Sequence, residues 1–125
     1  MKASLASLHH QATDWLRELE FYKQEIGILT KRLEEVVSKN TDKEIEAQSE
    51  HFQNKFILLR EQMDELTHDV RTREREIEAV AKDRPNHIDE KFTAIKSDLL
   101  NRVKDLVNSI ADTRFEFNHF LVQVL

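Results

Sequence analysis

The chain has 125 residues, a formal net charge of -5, one Gly, one Pro and no Cys, and 34% of its residues are charged. That length suits one domain around one ordinary core, and the lack of cysteine excludes disulfides, thiolate metal sites and cysteine nucleophiles together. Acids and bases are interleaved without a long run of one sign, which excludes the basic arm through which many chains hold nucleic acid.

Scarce Gly and Pro, beside abundant Leu, Glu, Lys, Gln, Arg and Ala, predict helix before any pattern is read. Met1 to His10 lack the long apolar run of a secretory leader, and no segment approaches the roughly 18 apolar residues that a membrane span needs. The expectation is a cytoplasmic protein.

The first helix is predicted over about residues 4–38. From Leu5 the apolar positions recur in alternating steps of three and four: Leu5, Leu8, Ala12, Trp15, Leu19, Tyr22, Ile26, Leu29, Leu33, Val36. That spacing is a coiled-coil seam, with one stripe turned inward. The seam breaks after Ser38, where Asn40 suits the left-handed conformation that ends helices. Thr41, with Glu44 three residues on, has the form of a capping box for the next helix.

The second helix is predicted over 42–83, with the seam Ile45, Ser49, Phe52, Phe56, Leu59, Met63, Leu66, Val70, Arg73, Ile77, Val80. Pro85 disfavours helical geometry in the residue before it, and Asn86 offers a fresh cap. The third helix, predicted over 86–124, carries Ile88, Phe92, Ile95, Leu99, Val103, Leu106, Ile110, Thr113, Phe117, Phe120 and Val124. One extra residue between Leu99 and Val103 breaks the strict heptad, and the supercoil should unwind slightly there.

Short turns make successive helices antiparallel, so the three seams must agree in register. They do: Leu33 falls level with Ser49 and Phe120, Leu29 with Phe52 and Phe117, Tyr22 with Leu59 and Ile110. Farther along come Leu19, Met63 and Leu106, then Trp15, Leu66 and Val103, then Ala12, Val70 and Leu99, and last Leu5, Ile77 and Phe92. Every layer is filled, with small Ser49 opposite large Phe120 as close packing demands. The predicted fold is all-α, an antiparallel three-helix bundle with long coiled-coil-like helices in one domain, 1–125.

Few residues offer chemistry. Two Glu-x-x-His motifs, Glu65 with His68 and Glu116 with His119, have the spacing used by di-metal bundles. In the register above they are displaced by roughly 15 residues, about 22 Å, so they cannot share an ion within one chain. A metal site of these four residues could form only between subunits, and this is the alternative function. His9, His10 and Asp14 at the start of the first helix could hold zinc but lack a third convincing ligand and read as a solvated end. His51 and His87 stand singly.

No phosphate loop, serine elbow or pair of buried carboxylates is present, and a slim bundle provides no pocket. The chain is expected not to be an enzyme and to use no cofactor or small-molecule substrate. Arg73 sits on the second seam, where an unpaired buried guanidinium would be costly, and should snorkel outward. Trp15 and Tyr22 read as core. Gly27 lies off the seam in mid-helix, at a cost of up to ~1 kcal/mol against alanine.

Apolar residues remain beyond the seams: Phe21, Ile28, Ile57, Leu58, Phe115, Leu121 and Val122. Some could widen the core stripe, but a clustered set with two Phe more often marks an interface. They are the candidate interaction surface, for a homodimer or a helical protein partner. A lipid-surface helix would need a basic polar face, which the mixed charge pattern does not supply, so neither membrane nor nucleic acid is an expected partner.

The stretches FYKQEI (21–26), RLEEV (32–36), NTDKE (40–44), EHFQNKF (50–56) and ELTHD (65–69) resemble a group of small uncharacterised bacterial helical coiled-coil proteins, mainly of Bacteroidetes. The resemblance covers the first two helices best and implies no activity. Trp15 is also similar in placement to the seam tryptophan of spectrin-type repeats, from which a lone chain with longer helices departs.

Overall fold

The computed structural model describes residues 5–83 and 88–125. Three helices account for nearly all of them: α1 (Leu5–Lys39), α2 (Lys43–Asp83) and α3 (Ile88–Val124). The end of α1, both bounds of α2 and the end of α3 lie within one residue of the expected ones. The expected start at residue 4, the Pro85 stop, the Asn86 cap, His87 and the side chains of seam positions Leu5 and Ile88 lie outside the described residues.

Pairs across the helices fix their directions. His9 bonds Glu74, and Lys23 reaches Asp64 at 2.8 Å, so α2 descends as α1 rises. Arg102 bonds Asp69 at 2.6 Å, while the Phe117 ring lies 5.3 Å from Phe52 and 5.1 Å from Phe56, so α3 turns back along α2. Glu25 with Arg114 ties α1 to α3 as parallel neighbours. The bundle is therefore up, down, up, and α1 lies more closely along α2 than along α3.

The buried residues are those of the seams. The main core runs from Ala12, Trp15 and Leu19 through Met63, Leu59 and Ile110 to a cluster of four rings, Phe52, Phe56, Phe117 and Phe120. A second, smaller core holds Leu8, Ile77 and Phe92, with Ile95 packed against both. Between the two, the α2 seam places Arg73, which turns out of the bundle and pairs with Glu76 through Nη1 at 2.9 and 3.1 Å. The Glu76 hydrogen bond, and then its charge, raise the guanidinium pKa above its ordinary value.

The first turn differs in detail from the expected one. Among the described residues no non-glycine φ is positive, so Asn40 does not close α1 in a left-handed conformation. Its side-chain amide instead donates to the Val36 carbonyl at 2.8 Å, satisfying an acceptor that the helix end leaves free. The cap of α2 is Asp42, one residue past Thr41: its Oδ1 accepts from the Glu44 amide at 2.8 Å and its carbonyl from Glu46 at 3.0 Å. An aspartate at that place satisfies an amide and also puts negative charge at the helix N-terminus.

Candidate functional site

The cross-helix pairs label the sides of each helix, and from them the position of every candidate residue follows. On α1, Lys23 faces α2 and Glu25 faces α3. Phe21 and Ile28 stand one turn before and one turn after Glu25, so both belong to the α3 side. They are 60% and 55% exposed. The Phe21 ring meets Tyr22 edge-on at 5.3 Å, and Tyr22 continues into the core.

On α3, Leu121 lies two turns beyond Arg114 and so shares its α1 side. It is half-buried against the main core, and with Val36 it lines a shallow hollow between α1 and α3. Leu121 thus widens the core stripe and does not stand free on the surface. Phe115 and Val122, two turns apart, point outward and are 75% and 80% exposed. Phe115 stacks on His119, with ring centroids 6.4 Å apart and planes 14° from parallel.

The two α2 candidates diverge. Ile57 lies two turns before Asp64 and so belongs to the α1 side of α2, whereas Leu58 lies one turn before Gln62, which faces Arg102 and Asp105 of α3. The structure therefore pairs Phe21 with Ile28 on the α3 side of α1 and Phe115 with Val122 on the outer face of α3, one turn to either side of His119, and leaves Ile57 and Leu58 on two further sides of the bundle. Val37, Leu100 and Leu125 are further exposed apolar residues absent from the sequence-based set. Val37 follows Val36 and Leu100 follows Leu99, and in such doublets only one member can enter a seam; the doublet is the signal.

The polar candidates do not converge. Glu65 lines the α2–α3 groove beside Arg102, while His68, three residues on, lines the α1–α2 groove beside Lys23 and Arg71. Glu116 and His119 lie farther along the α2–α3 groove, opposite His51. His9 is engaged by Glu74. Among the described residues no three of His, Asp and Glu are grouped so as to hold a metal ion, and the buried polar residues there are Ser49 and Thr113 alone. Thr113 Oγ1 donates to the Ser109 carbonyl at 2.8 Å; Ser49 Oγ has no hydrogen-bond partner.

Among the described residues no helix is long and apolar enough to cross a membrane. No family model matches the chain, and no curated protein and no solved structure matches it either.

Proposed function

We propose that the chain is a non-enzymatic structural or interaction module of the cytoplasm, a three-helix bundle that self-associates through its exposed apolar residues. One observation supports this above the others: the seams already fill the core, yet Phe21 and Ile28 on α1 and Phe115 and Val122 on α3 remain exposed, each pair two turns apart on one helix face. Isolated apolar residues are ordinary on a protein surface, whereas large apolar side chains repeated on one helix face are more characteristic of an interface.

Absolute mass in solution, by light scattering on a size-exclusion column, tests the proposal. The chain weighs 14.8 kDa, and the expected peak has twice that mass. Phe115→Glu should return it to the single-chain mass with its helical circular dichroism unchanged, because the residue is largely exposed and its ring stacks on the exposed His119. A wild-type peak at the single-chain mass at every concentration would remove self-association.

A further inference from the structure

One side of α2 gathers charge that the bundle does not use. Asp64, His68, Arg71 and Arg75 follow one another at steps of four, three and four, the spacing that keeps residues on one side of a helix. That side is turned to α1, as the contact of Asp64 with Lys23 at 2.8 Å records. With Glu20 and Lys23 of α1 these residues line a hollow of about 360 Å³ in the α1–α2 groove. Its floor is apolar, formed by the buried Leu19 and Met63.

The two arginines there are unlike those that tie the bundle together. Arg73, Arg102 and Arg114 each hold a carboxylate. Arg71 and Arg75 hold none among the described residues, and Glu74, which lies between them in sequence, is turned to His9. Helical side chains lean toward the helix N-terminus, which on α2 carries both arginines back toward His68. Arg75 shows this lean: its Nε donates to the Arg71 carbonyl at 3.3 Å, and its two Nη groups remain unpaired.

The balance of charge in the hollow is positive although the chain as a whole carries -5. Lys23, Arg71 and Arg75 stand against Glu20 and Asp64, with His68 beside them. Asp64 is taken up by Lys23, so the acid left to face the arginines is Glu20, which is exposed and forms no ion pair among the described residues.

We propose that this hollow binds a phosphate-bearing small molecule, its phosphate held by the guanidinium groups of Arg71 and Arg75 with Lys23 and His68 at the rim. A guanidinium fork matches phosphate oxygens two at a time, which a point charge does not. The apolar floor keeps water from one side of the ion and so strengthens each charged contact above it. The volume lies at the lower end of small-molecule sites and leaves room beside the phosphate for the group that bears it. A long polyanion is disfavoured by the negative charge of the rest of the chain, so the ligand is a small one.

Titration with inorganic phosphate and with pyrophosphate, followed by amide NMR shifts in a phosphate-free buffer, tests the site. Saturable shifts are expected at Glu20, Lys23 and along Thr67 to Arg75, and none around Phe117. Saturation by both probes means that one phosphate group suffices; saturation by pyrophosphate alone means that the arginines bridge two, and either result supports the site. Arg71→Gln and Arg75→Gln should each weaken binding about tenfold. Arg60→Gln, one turn before Asp64 on the same side of α2 but outside the hollow, should change it by less than about twofold, and Glu20→Gln should tighten it about threefold. All four positions are exposed, so the helical circular dichroism should not change. The absence of saturable shifts with both probes at millimolar concentration overturns the proposal, and so does an equal loss in Arg60→Gln and Arg71→Gln, which would mark a diffuse attraction without a site.

Discussion

At the scale of single residues, two positions carry a cost that the fold does not require. Gly27 stands in mid-helix with helical backbone, and a Cβ added there would meet no atom within 4 Å. Gly27→Ala should therefore stabilise the bundle by about 0.5–1 kcal/mol through the entropy that glycine loses on folding, seen as a higher urea midpoint by circular dichroism. Ser49 is buried in the seam of α2 with its Oγ unpaired. Its hydroxyl gives up hydration for nothing, so Ser49→Ala should gain about 1 kcal/mol in the same measurement, and a loss would mean that the hydroxyl is satisfied in solution. Thr113 is the contrasting case: its hydroxyl bonds the Ser109 carbonyl, and no gain is expected from its removal. Arg73 shows how a charged residue keeps a seam position. Its stem follows the seam while its head stays in water with Glu76, as expected of a long cationic side chain.

At the scale of elements, the helices were legible because their periodicity is sustained over ten or more seam positions, so that no single residue decides the outcome. Their ends were less so. Asn40, Thr41 and Asp42 are all competent to end or begin a helix, and the choice among them rests on local hydrogen bonds worth about 1 kcal/mol each, which spacing alone does not rank. The structure assigns the cap to Asp42. Asp42→Ala should then cost about 1 kcal/mol, while Thr41→Ala, at an exposed position, should lie within about 0.5 kcal/mol of wild type. Equal losses at the two sites would restore the capping box on Thr41 and Glu44. The same limit applies to Leu121. It directly follows the seam residue Phe120, and packing of α3 against its neighbours decides that it is half-buried against the core, while Val122, two residues from either seam position, stays exposed.

At the scale of the whole molecule, the register of all three helices followed from matching the seams, and the cross-helix pairs His9 with Glu74, Asp69 with Arg102 and Glu25 with Arg114 agree with it. The candidate surface was only partly legible. Helical phase places Ile57, Leu58 and Phe115 outside the seam alike, but assigning each to one of three flanks needs the directions in which neighbouring helices lie. The two unequal cores have a measurable consequence. Leu8, Ile77 and Phe92 form a cluster of three beyond the break at Arg73, whereas the far half is closed by four interlocked rings. Amide hydrogen exchange should therefore be faster around Leu8, Ile77 and Phe92 than around Phe52, Phe56 and Phe117, and uniform protection along α2 would contradict this division. The exposed pairs, Phe21 with Ile28 and Phe115 with Val122, ride on the slower half. A surface carried on backbone that is already rigid has little freedom left to lose on contact, so whatever these pairs meet would find them preorganised.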